Sequence, residues 1–178
     1  MVSKYMKRAA ILSFLILAGI LCSCEKFDRP GEQAASQKEL DNLYKAYESL
    51  IELYPEKNRF KESLICNDWV LAKVTRETYV DGALVQTTDA TGYWGKMEFS
   101  FRKNHRMSYS GSNGVWMYSH NLLLWVYDGN YHSYEVVGAK AGVLQLKAEE
   151  YPAGIPWTPF IIEKSGEHYF YIFEYHAK

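Results

Sequence analysis

The chain has 178 residues, 48% of them hydrophobic and 23% charged, with a formal net charge of −1. That balance fits one globular domain and excludes both a disordered chain and a general nucleic-acid binder, which would carry a concentrated basic footprint. Aromatic residues are in excess, with 15 Tyr, 8 Phe and 5 Trp, enough to fill a core and leave rings for a cavity or a binding face.

Residues 1–23 read as a secretory leader. Lys4, Lys7 and Arg8 give a positive start, and Ala9–Leu21 is an uncharged apolar run of 13 residues. A bilayer-spanning helix needs roughly 20 residues, so the run is too short for a permanent span. It ends in Leu21-Cys22-Ser23-Cys24, which resembles the lipobox of bacterial lipoproteins. The resemblance implies cleavage before Cys24 and acylation of its sulfur and new amino group, with palmitate-type chains. Ordinary secretion, with Cys24 left as a thiol, is the alternative. Processing leaves 155 residues with 17 basic and 21 acidic side chains, a net charge of −4. Membrane attachment must therefore come from acyl chains, each buried methylene contributing about 0.8 kcal/mol. Glu25, not Asp, follows the cysteine, and the expected location is the outer membrane.

Residues 24–35 contain Pro30, Gly31 and Gln33 without an apolar period and read as a flexible tether. A helical segment is expected over 36–65. Ser36-Gln37-Lys38-Glu39 fits a capping box, and Leu40, Leu43, Tyr44, Tyr47, Leu50, Ile51 and Tyr54 form one apolar stripe. Pro55 ends or kinks that helix, and a shorter helical piece is expected over Glu56–Ile65. The stripe suits a helix laid on the domain; a partner-binding helix is the alternative. Cys66, the remaining thiol once Cys22 is removed and Cys24 acylated, permits no intramolecular disulfide. Beside Leu64 and Ile65 it reads as a small buried hydrophobe.

From Trp69 the period changes to two. Strands are predicted at Trp69–Glu77, Ala83–Thr87, Lys96–Arg102, Arg106–Ser110, Gly114–Tyr118, Leu122–Asp128, Ser133–Ala139, Val143–Glu149, Thr158–Lys164 and His168–His176. Turn chemistry falls at Asp81-Gly82, Lys103-Asn104, Ser112-Asn113-Gly114, Asp128-Gly129-Asn130, Ala141-Gly142 and Ser165-Gly166. The pattern predicts a mainly β domain over 66–178, an antiparallel up-and-down barrel of about eight to ten strands after an N-terminal α-helix.

Asn67-Asp68-Trp69-Val70-Leu71 opens the first strand, Lys96–Phe101 alternates, Gly114-Val115-Trp116 begins another strand and Leu122-Leu123-Leu124 continues it. With the lipobox and short helix, this pattern resembles the lipocalin-like domains of small Gram-negative lipoproteins. Asn67 stands where lipocalins proper carry Gly. The resemblance implies a lipocalin-like barrel able to enclose a ligand, and it brings no catalytic residues with it.

No catalytic motif emerges. His105, His120, His132, His168 and His176 lack metal-ligand spacing, and no serine sits in a Gly-x-Ser-x-Gly setting. No metal or cofactor is expected. Ligand-binding candidates are aromatic: Trp69, Trp116, Trp125, Tyr171 and Phe173 as barrel-wall residues, and Trp157 in the stiff Pro152–Pro159 stretch as a lid or contact residue. The expected function is non-catalytic binding of a small apolar or amphipathic ligand by a lipid-anchored monomer. The alternative is recognition of a protein or glycan through exposed rings such as Trp157 and Tyr131.

Overall fold

The structure, a computed structural model, describes residues 32–54, 57–149 and 166–178. The leader, Cys24, Pro55, the strand expected at Thr158–Lys164 and the Trp157 loop lie outside these residues.

Helix α1 (Gln37–Ala46) begins at Ser36, where the expected capping box forms in full. The Glu39 amide donates to Ser36 Oγ, and the Ser36 amide donates to Glu39 Oε2 at 2.8 Å. The stripe continues past a break at Tyr47 into a single turn, α2 (Glu48–Ile51). Leu43, Leu50 and Ile51 are buried against Val115, Leu122 and Leu124. Of the helical piece expected over Glu56–Ile65, the described residues 57–65 form one 3₁₀ turn, Glu62–Leu64. The Arg59 amide donates to Asn121 Oδ1 at 2.5 Å and Asn58 Nδ2 to the Tyr118 carbonyl, so this stretch is committed to tertiary bonds that a regular helix would break.

Nine strands follow: β1 (Asp68–Val80), β2 (Ala83–Asp89), β3 (Glu98–Phe101), β4 (Arg106–Tyr109), β5 (Ser112–Ser119), β6 (Leu122–Tyr127), β7 (Asn130–Lys140), β8 (Val143–Glu149) and β9 (Glu167–Ala177). All pairings are antiparallel, and neighbours from β3 to β9 are consecutive in sequence. β9 then pairs with β1 along Trp69–Val80, and β1 pairs with β3 at Asp68–Val70, so β1 and β3–β9 close an eight-stranded up-and-down barrel. The ninth strand, β2, continues the wall beyond that seam, pairing with Thr75–Val80 of β1.

Four tight turns, at Asp81-Gly82, Ser110-Gly111, His120-Asn121 and Asp128-Gly129, hold both central residues at positive φ. That geometry matches the right-handed twist of the strands they join. The turn expected at Ser112-Asn113-Gly114 is displaced to Ser110-Gly111, and Ser112–Gly114 belongs to β5. Gly114 is required there by packing, because a Cβ would lie 2.1 Å from the Val126 carbonyl oxygen.

Alternation divides the barrel wall. Trp116 and Trp125, paired across β5 and β6, point into the barrel, whereas Val115, Leu122 and Leu124 point outward beneath the helix. Strand β6 is thus buried on both faces over Leu122–Trp125. No helix among the described residues is long and apolar enough to cross a membrane.

Candidate functional site

The barrel interior is filled with rings that touch across it. Phe99 lies 5.4 Å from Trp125 and 5.6 Å from Tyr175, centroid to centroid, joining strands from different parts of the wall. Phe101 meets Trp116 at 5.3 Å, Trp125 stacks on Tyr134 at 4.8 Å, and Tyr134 meets Phe173 edge-on at 5.8 Å. Such pairs contribute about 0.5–1.5 kcal/mol each beyond the area they bury. Indole N–H groups are anchored at Trp69, which donates to the Ile65 carbonyl at 2.7 Å, and at Trp116, which donates to the Arg102 carbonyl at 2.9 Å.

Four of the predicted wall residues therefore occupy the packed centre. Trp69, Trp116, Trp125 and Phe173 are at most 1% exposed. A side chain inaccessible to water has no water-sized void beside it, so these four hold the barrel together. Burial raises the pKa of Tyr175 well above its ordinary value and that of Tyr134 in the same direction, with neighbouring tyrosines adding to both shifts. Tyr171 differs: its ring also faces inward, yet it reaches an opening. Trp157 lies outside the described residues.

That opening is built by the β2–β3 connection. Ala90 donates its amide to the Val74 carbonyl at 2.9 Å, and the Val74 amide donates to Thr91 Oγ1, so the connection is stitched to β1 where β2 leaves off. A 3₁₀ turn, Thr91–Tyr93, then drives Trp94 against the inward rings of β9, 4.8 Å from Phe173 and 5.5 Å from Tyr171. Beside this inserted tryptophan is a cleft of about 330 Å³ lined by Arg76, Thr88, Asp89, Ala90, Tyr93 and Tyr171. The Arg76 guanidinium carbon sits 3.8 Å from the centre of the Tyr169 ring, a cation–π contact that holds the positive charge next to the cleft. Asp89 accepts from the Thr91 amide at 2.8 Å, and its bonds to Thr91 hold its carboxyl below the usual carboxylate range. Tyr93 stands at the lip, 91% exposed.

The lining offers a cation, a carboxylate, a hydroxyl and two phenol rings, and neither histidine nor cysteine. It can grip a ligand by stacking and charge-assisted hydrogen bonds. Of this set, the sequence pattern points only to Tyr171. The available signal is Thr91-Gly92-Tyr93-Trp94-Gly95, two adjacent rings between glycines in the stretch between the strands predicted at Ala83–Thr87 and Lys96–Arg102.

A second groove, of about 480 Å³, lies on the outer wall around Gln145, Glu174 and His176. Its polar groups bind one another: Gln145 Nε2 donates to Glu174 Oε2 at 2.8 Å, and His176 Nε2 lies 2.9 Å from Glu174 Oε1. Elsewhere Cys66 is buried, and His168 pairs with Glu149 at 3.1 Å. Burial raises the Glu149 pKa, against the opposing pull of His168. Among the described residues, no three His, Cys, Asp or Glu side chains gather as metal ligands would. Comparison with protein-family models, curated proteins and solved structures yields no match.

Proposed function

We propose that this is a lipid-anchored protein of the Gram-negative cell envelope, held at the outer membrane through Cys24, which binds a small amphipathic ligand without catalysing a reaction. The observation that carries the binding half is the cleft beside Trp94. Its volume of about 330 Å³ falls at the lower end for ligand sites, and its lining sets ring faces next to the Arg76 guanidinium. A ligand with an apolar body and an anionic head meets both, the body against Tyr171 and Tyr93 and the head at Arg76. The anchoring half is supported by Leu21-Cys22-Ser23-Cys24 at the end of an apolar run.

Octanoate serves as the probe for the first half. Titration followed by tryptophan fluorescence, reporting through Trp94, is expected to saturate; Arg76→Ala, which removes a charge-assisted contact, and Tyr171→Ala, which removes a ring face, are each expected to weaken binding at least about tenfold. Equal affinity in all three proteins, or no saturation in the wild type, overturns the assignment. Metabolic labelling with an alkynyl fatty acid tests the second half: label is expected on the wild type and lost in Cys24→Ala.

The exposure of Tyr93 favours a second reading, in which a glycan stacks on that ring instead of entering the cleft. Chito-oligosaccharide binding that is lost in Tyr93→Ala but retained in Arg76→Ala would select it.

A further inference from the structure

Closing a barrel removes the free edges of a sheet, yet one strand here stays outside the closure. Among the described residues β2 pairs on one side only, with β1, and all seven of its residues are exposed. Its other edge presents backbone donors and acceptors that only another extended strand can match along their whole length. Natural edge strands are usually protected by lysine, proline or an inward-pointing charge. The sequence Ala83-Leu84-Val85-Gln86-Thr87-Thr88-Asp89 contains no lysine or proline, and its one charge is at the end. Exposed apolar side chains gather in the same region. Of the seven large hydrophobic residues exposed among those described, four are Val80, Leu84, Val85 and Tyr93, on this hairpin and the turn that follows it.

We propose that β2 is a homodimerisation edge, pairing antiparallel with β2 of a second copy about a two-fold axis. This goes beyond the ligand-binding reading and departs from the monomer expected from sequence. The strand is complementary to itself in that orientation. Centred on Gln86, the pairing sets Asp89 of each copy opposite Ala83 of the other, Leu84 opposite Thr88, and Val85 opposite Thr87. The two carboxylates then sit at opposite ends of the ribbon, whereas a parallel in-register pairing would place them side by side. β-Branched and apolar residues meet across the axis, the kind of cross-strand pair that stabilises a ladder. Val85, skipped in the register with β1, is more than half exposed and supplies an apolar contact beside the axis. The association is isologous and closed, so it stops at two copies. An edge of seven residues is shorter than a standard interface, which puts the dimer in the weak class.

Sedimentation equilibrium of the full-length protein in a non-ionic detergent tests this, with hydrogen exchange read in parallel. The wild type is expected to move toward twice the chain mass as concentration rises, with amides of residues 84–88 becoming slower to exchange. Val85→Lys combined with Thr87→Lys sets four cations together across the axis. That variant is expected to stay at the mass of one chain while melting at the wild-type temperature, since both sites are exposed. A wild type of single-chain mass at every concentration overturns the proposal. So does self-association that survives the two lysines, or that leaves exchange at residues 84–88 unchanged.

Discussion

His132 faces Trp125 across β6 and β7, its ring parallel to Tyr127 at 5.1 Å and stacked near Trp125 at 5.5 Å. Its Nε2 is buried with no hydrogen-bond partner among the described residues. Burial also lowers its pKa from the ordinary 6.5. In the unfolded chain the imidazole takes up a proton near pH 6.5, whereas in the fold it does so only at lower pH. Below about pH 6.5 the unfolded state therefore binds more protons, and the native state loses stability as the pH falls. His132→Phe retains a flat ring in the stack and removes the buried nitrogen. The variant is expected to gain about 1 kcal/mol at pH 7, since an unpaired buried polar group is replaced by an apolar one of similar shape. Its urea midpoint should also fall less than the wild type's between pH 7 and pH 5. Parallel midpoint profiles would show that this imidazole does not contribute to the acid sensitivity of the fold.

At the level of elements, the helix and the barrel share one carboxylate. Glu39 closes the capping box of α1 and also takes Arg106 of β4 in a two-pronged bond, from Nη1 at 2.8 Å and from Nη2 at 3.1 Å. The Arg106 bonds first, and the Ser36 amide after them, pull its pKa from 4.5 to about 2. A lowered carboxyl pKa supplies stability that is complete above the unfolded value and lost as pH falls from about 4.5 toward 2. Glu39→Gln should cost about 1 kcal/mol at pH 7, kept small by the partial exposure of the pair, and should flatten the stability profile over that acid window. Circular dichroism at the helix band during urea unfolding checks both outcomes, and an unchanged acid profile would remove Glu39 as their source. The cap itself was legible in Ser36-Gln37-Lys38-Glu39, and the strands in their period of two, because both signals are local. Arg106 as the partner was not legible: 67 residues separate it from Glu39, and only the closed barrel brings β4 beneath the helix. The same reason hid the cleft. Arg76, Asp89 and Tyr171 come from three strands and converge only because β1 pairs with β9 on one side, setting Arg76 opposite Tyr171, and with β2 on the other, setting Thr75 opposite Asp89.

For the molecule as a whole, a barrel is only as closed as its shortest seam. Both seams of β3 have three rungs, and the one that closes the wall is β1 against β3, where the ladder consists of Asp68–Ser100, Trp69–Phe99 and Val70–Glu98, while β1 runs against β9 along nearly its full length. The short seam is reinforced at its ends. The Phe101 amide donates to the Asn67 carbonyl at 3.0 Å, and the Leu71 amide to the Met97 carbonyl at 2.9 Å. Asp68 adds a side-chain clasp, accepting from Ser100 Oγ at 2.5 Å and pairing with Arg102 at 2.7 Å. Burial pushes the Asp68 pKa up, but these two partners outweigh it and the carboxyl ends below its usual range. Asp68→Ala leaves the mostly buried Arg102 without this partner, at a cost of about 2 kcal/mol, less than a fully buried pair because Asp68 is nearly half exposed. The loss should be felt unevenly. Amides of β3 are expected to exchange through local opening of the seam, while those paired between β8 and β9 wait for global unfolding. Native-state hydrogen exchange of Asp68→Ala against wild type reads this directly. A uniform loss of protection around the barrel would mean that the seam does not open on its own, and that the wall unfolds as a single unit from any point where it is weakened.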